Sequence, residues 1–277
     1  MNPHSRHATG LVSAARSLGS NARLLRDLTW REISGRYRGS VLGLAWSILT
    51  PLMMLAVYTF VFSVVFGARW SAAAVTGGKF DFALFVFVGV LLHAIVAEAI
   101  TRAPNLVLGN ANYVKKVIFP LELLPATVVG AAAFHSLIAL GILLLGVVLL
   151  GGGLHWTVLW MPALMLPLML LALGLAWGLA ALGVFLRDTG QVTGVLATVL
   201  MFMAPVFYPV SALPEGLRDW LYLNPLTFVI EQSREVIFAG QGPDLALLGV
   251  FWAVALAVAQ GGFWFFQKSR SGFADVL

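Results

Sequence analysis

Ionisable side chains inside long apolar runs are the first candidates for chemistry in this sequence. Glu98 and Arg102 are four residues apart, a spacing that predicts an ion pair on one helical face near a membrane surface. His93 and His135 fall at similar depths in two separate apolar runs, and intramembrane ionisable groups are functional candidates. A proton relay would need a carboxylate near mid-membrane, and only Glu98, near the end of its run, is available. We therefore favour an interfacial ion pair, with the histidines packing through hydrogen bonds or lining a pore.

The sequence contains no motif for ATP hydrolysis or covalent catalysis. Gly78-Lys79 is followed by phenylalanine and lacks the upstream glycine of a phosphate-binding loop. Carboxylate clusters and nucleophile constellations do not occur, and without cysteine the chain has neither disulfides nor thiol metal ligands. We expect no catalytic residue, no metal site and no cofactor in this chain. If it moves cargo actively, ATP hydrolysis by another polypeptide or an ion gradient must supply the energy.

The elements that hold these residues follow from the composition of the chain. Hydrophobic residues make up 60% of the 277 residues and charged residues only 10%, with a mean hydropathy of +0.92. A soluble domain of this length could not hide so much apolar surface, because roughly half of a soluble protein's surface must face water. The composition therefore predicts an all-α protein embedded in a membrane.

Apolar runs predict six transmembrane helices. A helix needs about 20 apolar residues to cross the hydrocarbon core. The run from Val158 to Pro209 is too long for one crossing, and Arg187-Asp188 should reach the membrane surface within it. The predicted spans are Val41–Phe66, Phe82–Ala103, Leu123–Leu150, Val158–Leu186, Val192–Tyr208 and Leu245–Phe266. They form one membrane domain at 41–266, between a cytoplasmic segment at 1–40 and a cytoplasmic tail at 267–277.

The distribution of basic residues predicts the orientation of these spans. Thirteen lysines and arginines lie on the side of the two termini and four lie on the other side. Because cytoplasmic loops carry the excess of basic residues, we expect both termini in the cytoplasm. The formal net charge of +5 then reflects topology and attraction to anionic lipid, and does not indicate nucleic-acid binding. We expect no cleavable signal peptide.

The segment Asn21–Arg38 predicts a basic amphipathic helix before the first span. Two interpretations stay open: a basic flank that sets topology, or a helix that lies in the membrane interface. Its apolar residues form two patches on different faces, so we expect a bend near Thr29 or Gly35. The preceding Met1–Ser20 is polar and is expected to be loose. The arginines of the helix are Arg23, Arg26, Arg31, Arg36 and Arg38.

Two further segments lie outside the predicted spans. Asn105–Glu122 can form a short helix that ends before Pro120, and it is either a solvated connector or a docking helix for a cytoplasmic partner. Ser211–Asp244 reads as two short apolar helices, Leu217–Leu223 and Leu226–Phe238, because proline in Asn224-Pro225 blocks helix continuation. These helices either re-enter the outer leaflet or lie flat on the membrane surface.

Glycines and aromatic residues within the spans suggest further contacts. Gly174 and Gly178 have the spacing that allows close helix approach, and they are candidates for a dimer seam. Most aromatic residues in or near spans face lipid or form an interfacial belt, but a subset can line a sugar path. These aromatics are Trp46, Tyr58, Phe62, Trp177, Phe202, Phe207 and Tyr208.

A set of short motifs occurs in sequence order from about Arg23 to the end of the chain. The motifs are Arg36-Tyr37-Arg38-Gly39-Ser40-Val41-Leu42-Gly43, Phe119-Pro120, Arg187-Asp188, Pro205-Val206-Phe207-Tyr208-Pro209-Val210-Ser211, Leu213-Pro214, Asn224-Pro225-Leu226-Thr227 and Phe273-Ala274-Asp275-Val276-Leu277. As a set they resemble polysaccharide-exporting ABC permeases, the membrane subunits that export lipid-linked O-antigen and teichoic acid.

The resemblance implies a homodimer of six-span subunits in a bacterial cytoplasmic (inner) membrane, with two copies of a separate ATPase that holds ATP and magnesium. It implies that Asn21–Arg38 is an interfacial helix whose five arginines receive a lipid-pyrophosphate head. It implies a coupling helix within Asn105–Phe119, with Asn110, Tyr113, Lys115, Lys116 and Phe119 against the ATPase. The implied external gate comprises Pro209, Pro214, Trp220, Asn224, Pro225, Glu231, Arg234 and Glu235.

The resulting hypothesis is the channel subunit of an ATP-driven exporter of lipid-pyrophosphate-linked glycan, O-antigen-like or teichoic-acid-like. An ABC permease for another lipid, drug or heme-like cargo is the first alternative. A proton-coupled secondary transporter and a membrane assembly scaffold are the others.

Overall fold

The computed structural model describes residues 8–65, 81–116, 119–151 and 153–277. Within these ranges the chain forms helices and no β-strand. The helices are α1 (Leu11–Ser20), α2 (Ala22–Arg36), α3 (Trp46–Tyr58), α4 (Asp81–Arg102), α5 (Ala111–Lys116), α6 (Leu123–Gly151), α7 (Met161–Phe185), α8 (Thr189–Phe202), α9 (Glu215–Leu221), α10 (Pro225–Arg234), α11 (Leu245–Ser269) and α12 (Phe273–Val276). A π-helical segment extends each of two helices: Thr59–Val65 follows α3, and Glu235–Ala239 follows α10. The all-α prediction is therefore confirmed for the described residues.

Five helical segments among the described residues are long and apolar enough to cross a membrane. They are Gly43–Val61, Phe82–Asn105, Leu123–Leu150, Trp156–Phe185 and Leu245–Val276. They correspond to five of the six predicted spans, although Phe66 of the first prediction lies outside the described residues. Helix α8 covers the remaining prediction, but with 14 residues it is shorter than a typical crossing.

Helix α8 and the turn after it nevertheless run antiparallel to the chain from Gly89 to Asn105, which includes most of α4. At one end, a Cβ added to Gly190 would lie 3.4 Å from the Asn105 side-chain nitrogen. In the middle, His93 Nε2 donates to the Ala197 carbonyl oxygen at 2.9 Å. Beyond the end of α8, Val206 packs so closely on α4 that a Cβ on Gly89 would lie 3.0 Å from the Val206 Cα. Helix α8 and the turn after it therefore lie along α4 from Gly89 onward. His93 takes the first of the two roles that we expected for it, a packing residue with a hydrogen bond.

Small residues bring α7 and α11 into close contact. A Cβ on Gly174 would lie 2.6 Å from the Ala259 backbone, and a Cβ on Gly262 would overlap the Gly174 carbonyl. Gly178 also faces Gly262, at 3.9 Å. Because this face is filled by a helix of the same chain, the expectation that Gly174 and Gly178 mark a dimer seam is wrong.

The described part of Met1–Ser20 differs from the expectation of a loose chain; residues 1–7 of that expectation lie outside the described residues. Residues Leu11–Ser20 form α1, which packs on α11: Leu11 N donates to Gln260 Oε1 at 2.9 Å, and Gln260 Nε2 donates to the Thr9 carbonyl at 2.9 Å. Ala14 is buried in this contact. A helix rich in alanine and serine has little apolar surface of its own, so its order depends on a tertiary neighbour that the local sequence does not reveal.

Local signals explain where the shorter helices start and end. Asn224 caps α10 by accepting from Leu226 N at 3.0 Å, and Pro225 occupies the first helical position, where its missing N–H costs nothing. Helices α9 and α10 occupy the two segments in which short helices were predicted. Asp244 caps α11 in the same way, accepting from Ala246 N and Leu247 N. Helix α2 runs unbroken through Thr29, where a bend was expected, and ends next to Gly35.

Candidate functional site

The apolar face of α2 packs on α6, and this contact positions the arginines at its end. Ile33 is buried, and Trp30 lies edge-on to Phe134, with ring centroids 6.4 Å apart. A Cβ on Gly130 would lie 3.0 Å from the Thr29 side chain, so the two helices approach closely there. The C-terminal end of α2 is therefore held over the C-terminal end of α4 and the N-terminal half of α6.

Arg36 and Tyr37 extend from this end into a polar network around Glu98. Arg36 Nη2 donates to Glu98 Oε1, and Arg102 Nη1 donates to the same oxygen at 3.2 Å. His135 Nδ1 lies 3.3 Å from Arg36 Nη1 and 3.7 Å from Glu98 Oε2, while its Nε2 lies 3.1 Å from the Tyr37 hydroxyl. A guanidinium can only donate, so His135 Nδ1 accepts from Arg36 and its Nε2–H donates to Tyr37. The predicted Glu98–Arg102 pair is confirmed, within a larger network.

Arg102 also joins α4 back to α2, because its Nη2 donates to Glu32 Oε1. The network thus contains two guanidiniums and two carboxylates from two helices. Sequence reasoning missed Glu32 and the pairing of Arg36 with Glu98, since these partners are 70 and 62 residues apart along the chain. Only the i,i+4 pair has a signal in local spacing.

A cavity of about 310 Å³ opens beside this network, and we call it the amphipathic cavity. Arg36, Tyr37, Glu98 and His135 form its polar end. Its other walls come from α3, α4 and α6 and are mostly apolar, with Pro51, Met54, Phe87, Val90, Leu91, Ala94, Ala132 and Ala139 among them. A space that is charged at one end and apolar beyond suits a ligand with an anionic head and a hydrocarbon tail.

A second cavity of about 450 Å³ lies on the other side of Arg36, and we call it the arginine cavity. Its lining residues are Arg31, Glu32, Gly35, Arg36 and Arg102. Three guanidiniums line it, and with Glu32 and the adjoining Glu98 counted the group keeps a net positive charge. The planar donor fork of arginine matches phosphate oxygens. Arg36 is the residue that the two cavities share.

The other arginines of α2 lie apart from these cavities. Arg26 pairs with its neighbour Asp27 at 3.4 Å, and both side chains are largely exposed. Arg23 and Arg38 are exposed as well. Of the five arginines expected to receive the lipid-pyrophosphate head, only Arg31 and Arg36 line the two cavities, and Arg102 joins them.

The predicted coupling segment contacts both α2 and the C-terminal region. Tyr113 stacks on Phe119 with centroids 4.4 Å apart, and its hydroxyl accepts from Arg31 Nη2 at 3.2 Å. The Phe119 carbonyl accepts from Arg270 Nη2 at 3.0 Å. Asn110 is occupied locally, donating to the Leu106 carbonyl at 2.8 Å. The side chains of Lys115 and Lys116 lie outside the described residues.

A second polar centre, around Glu122, was not predicted. Glu122 accepts from Ser17 Oγ at 2.6 Å and from Arg270 Nη1 at 2.9 Å, and its carbonyl accepts from Trp177 Nε1 at 3.0 Å. It therefore ties together α1, α7 and the end of α11. No sequence motif marks it, because its partners come from distant parts of the chain.

The aromatic residues predicted to line a sugar path fall into two groups. Trp177 is 1% exposed and packs on Phe263 at 4.9 Å, so the structure corrects its assignment: it is a core residue between α7 and α11. Phe207 lies 6.4 Å from Tyr58 and 5.8 Å from Phe202 between ring centroids, which brings these three together.

The structure describes two of the three remaining aromatic side chains of that prediction. Tyr208 donates to the Phe202 carbonyl at 2.8 Å, which places it at the same end of α8. Trp46 is half-buried at the start of α3, and the Phe62 side chain lies outside the described residues.

Arg234 organises the predicted external gate from a buried position. It donates to the carbonyls of Phe85 at 3.0 Å, Pro205 at 2.7 Å and Val206 at 3.0 Å, and to Glu231 Oε1 at 3.0 Å. Burial lowers the pKa of Arg234 to about 10, so the guanidinium stays protonated at neutral pH. This cation therefore binds α10 to the start of α4 and to the turn after α8.

The other residues of the predicted gate are mostly at the surface. Trp220 and Glu235 are exposed, Pro214 begins α9, and Pro209 precedes the turn that leads to it. Asn224 is buried, and its side-chain nitrogen donates to the Leu200 carbonyl at 3.1 Å. The gate segment is thus anchored at Asn224 and Arg234, with α9 at its outer face.

Comparison with known proteins supports the resemblance seen in the motifs. The chain is 28% identical over 269 residues to the O-antigen export system permease protein RfbA of Myxococcus xanthus, covering 96% of this chain and all of that protein. It is 23% identical to RfbA of Klebsiella pneumoniae, over 94% of this chain and 97% of the relative. It is 24% identical to the polysialic acid transport protein KpsM of Escherichia coli, over 82% and 87%. The family model for ABC-2 type transporters matches residues 23–238, and the chain is therefore a member of the ABC-2 type transporter membrane family.

Proposed function

We propose that this chain is the membrane subunit of an ATP-driven exporter that moves lipid-pyrophosphate-linked polysaccharide across a bacterial cytoplasmic membrane. The observation that carries the proposal is the sharing of Arg36 by the arginine cavity and the amphipathic cavity. The relatives named as O-antigen and polysialic acid transporters agree with a polysaccharide cargo.

The two cavities suit the two chemically distinct parts of such a substrate. The pyrophosphate accepts hydrogen bonds from Arg31, Arg36 and Arg102 in the arginine cavity, where charge-assisted bonds are strong. The hydrocarbon next to the pyrophosphate occupies the amphipathic cavity, between Met54 and Phe87. The substrate head is then held where α2 meets the spans.

A six-span topology with both termini in the cytoplasm is part of the proposal. Helix α1 and the end of α11 both bond to Glu122, so the two termini lie at one end of the bundle. A chain whose termini lie on one side must cross an even number of times, and five long segments need a sixth. Helix α8 with its following turn, which accompanies α4 from Asn105 to Gly89, supplies that crossing.

The proposed machine contains two copies of this chain and two copies of an ABC ATPase, which binds ATP and magnesium. The coupling segment around Tyr113 and Phe119 docks on the ATPase, and the bond from Arg31 to Tyr113 transmits its movement to α2. The glycan then passes the aromatic cluster of Tyr58, Phe202 and Phe207. Helices α9 and α10, which re-enter the outer leaflet in this proposal, form the external gate.

Reconstitution of this chain with its ATPase in proteoliposomes tests the proposal. A panel of lipid-linked glycans should stimulate ATP hydrolysis and be exported, whereas the free glycan should do neither. Arg36→Ala should abolish most of the stimulation. Arg26→Ala is the matched control, because Arg26 is an exposed arginine of the same helix outside both cavities. Equal losses of ATPase stimulation in Arg36→Ala and Arg26→Ala would contradict the proposal. Stimulation of ATP hydrolysis by a lipid that carries no glycan would contradict it as well.

A further inference from the structure

Glu98 holds the arginine that the proposed substrate needs. Its Oε1 accepts from Arg36 Nη2 and from Arg102 Nη1, so the carboxylate occupies the guanidinium face where the two cavities meet. A phosphate oxygen that accepts from Arg36 Nη2 must therefore compete with Glu98. A carboxylate and a phosphate offer arginine the same kind of paired oxygen acceptor, which makes the competition direct.

The two partners differ in their freedom to move apart. The Glu98 side chain is 15% exposed and sits inside α4, with His135 Nδ1 3.7 Å from its second oxygen. The Arg36 side chain is 37% exposed and lies at the end of α2, next to open space on both sides. Arg36 is therefore the partner that moves when the pair separates.

Separation of this pair leaves neither group as an isolated charge. Glu98 keeps its bond to Arg102 at 3.2 Å, and Arg102 keeps its bond to Glu32. A buried carboxylate that lost its only cation would cost several kcal/mol, whereas Glu98 retains one. The network is thus arranged so that Arg36 can be released at moderate cost.

We propose that Glu98 is a built-in anion that occupies Arg36 in the resting state and that only a pyrophosphate displaces, so that it selects lipid-pyrophosphate over ordinary anionic phospholipids. This inference rests on the proposed function and adds a specificity-determining residue to it. A phospholipid presents one phosphodiester and cannot outcompete a fixed carboxylate, while a pyrophosphate presents two phosphoryl groups to three guanidiniums. Selection by an internal competitor is needed because anionic phospholipids surround the site in large excess.

Binding measurements on the complete complex with its ATPase, in nanodiscs of phosphatidylcholine, test this role. The probe is a polyprenyl pyrophosphate, with phosphatidylglycerol as the competitor. Glu98→Gln removes the charge but keeps the shape, and it should tighten probe binding by about three- to tenfold. In this variant phosphatidylglycerol should displace the probe, whereas in the wild-type complex it should not.

Three further variants separate this role from a structural one. Asp27→Asn removes a negative charge from exposed α2 and should leave probe affinity unchanged, which controls for net charge. Glu98→Asp keeps the charge near Arg102 but is one methylene shorter, so it should show a smaller gain in the same direction. In an Arg36→Ala background, Glu98→Gln should give a clearly smaller gain, because only Arg102 then remains to be released from Glu98.

The outcomes distinguish failure of this inference from failure of the proposed function. If the wild-type complex binds no polyprenyl pyrophosphate, both fail. If the wild type binds the probe but Glu98→Gln and Glu98→Asp bind it no more tightly, with unchanged melting temperatures, Glu98 is a structural residue and only the inference is overturned. A gain in probe affinity that is just as large in the Arg36→Ala background overturns the inference as well.

Discussion

Arg31 of α2 donates a hydrogen bond to the hydroxyl of Tyr113 in α5, with 3.2 Å between nitrogen and oxygen. Arg31 also lines the arginine cavity, and Tyr113 stacks on Phe119 within the predicted coupling segment. One side-chain contact therefore joins the region proposed to hold the substrate head to the region proposed to contact the ATPase. A direct bond of this kind is a physical route for coupling, because a shift of α5 must either move α2 or break it.

Removal of this bond should loosen coupling without disrupting the fold. Tyr113→Phe keeps the stack on Phe119 and deletes only the hydroxyl, at a cost of about 0.5–1.5 kcal/mol or less at this exposed position. We expect basal ATP hydrolysis to persist, with fewer glycans exported per ATP in proteoliposomes. Tyr222→Phe, which removes the hydroxyl of an exposed tyrosine outside the predicted coupling segment and sugar path, is the control. An unchanged ratio of export to hydrolysis in Tyr113→Phe would exclude this route.

Replacement of Arg234 should strongly destabilise the segment that we predict to form the external gate. Arg234→Met removes the buried cation that satisfies the Phe85, Pro205 and Val206 carbonyls and leaves the Glu231 carboxylate without this partner. We expect a loss of about 3–5 kcal/mol in the free energy of unfolding, seen as a lower melting temperature. Arg218→Ala removes an arginine at the surface of the same segment, bonded to the Leu213 and Ser211 carbonyls, and should have a much smaller effect. Similar losses in both variants would show that the burial of Arg234 is unimportant.

The glycine contact between α7 and α11 predicts a position-specific loss of stability. A Cβ at Gly262 would overlap the Gly174 carbonyl, so Gly262→Ala must push the two helices apart. We expect a cost of about 1–3 kcal/mol, measured as a lower melting temperature in detergent. The next residue, Gly261, has open space around its Cβ position, and Gly261→Ala should be neutral. Equal stability of the two alanine variants would be inconsistent with this packing.

Cysteine labelling can count the crossings, because the natural sequence contains no cysteine. Ser20→Cys and Ser271→Cys, near the two termini, should react with a membrane-impermeant maleimide only after the cells are opened. Gly216→Cys, in α9, should react in intact spheroplasts. Labelling of Ser20→Cys and Ser271→Cys from opposite faces would show an odd number of spans and would refute the six-span proposal.

The Glu98–Arg102 pair and the Glu98–Arg36 pair show what could be predicted from the sequence and what could not. The first follows from four-residue spacing on a helix, and the structure confirms it. The second joins residues 62 positions apart, and its existence depends on the packing of α2 against α6. The arginine cavity also depends on the packing of α2. The sequence assigned Arg102 to a local ion pair, and Arg102 lines this charged cavity only because α2 lies next to it.

Tertiary contacts also decided which helix faces are buried. The sequence around Trp177 is compatible with a pore wall, and the sequence around Gly174 is compatible with a dimer seam. A wholly apolar span has no polar face, so its sequence does not show which side packs on protein and which side faces lipid. The sequence could not specify that α11 fills that face. The helical structure of α1 is a similar case. This segment, which contains several alanine and serine residues, packs on α11, where Gln260 bonds to Thr9 and Leu11.

By itself, the sequence determined that this chain lies in a membrane, where most spans begin and end, and to which family of transporters it is similar. Those properties follow from hydrophobicity, charge bias and short motifs, all of which are local. The tertiary structure alone decided that Arg36 stands between two cavities, that Glu98 holds it, and that Arg234 is buried under the external segment. The physical reason is that a buried charge pairs with an opposite charge on a neighbouring helix. Which helix is the neighbour depends on tertiary packing and cannot be inferred from separation along the chain.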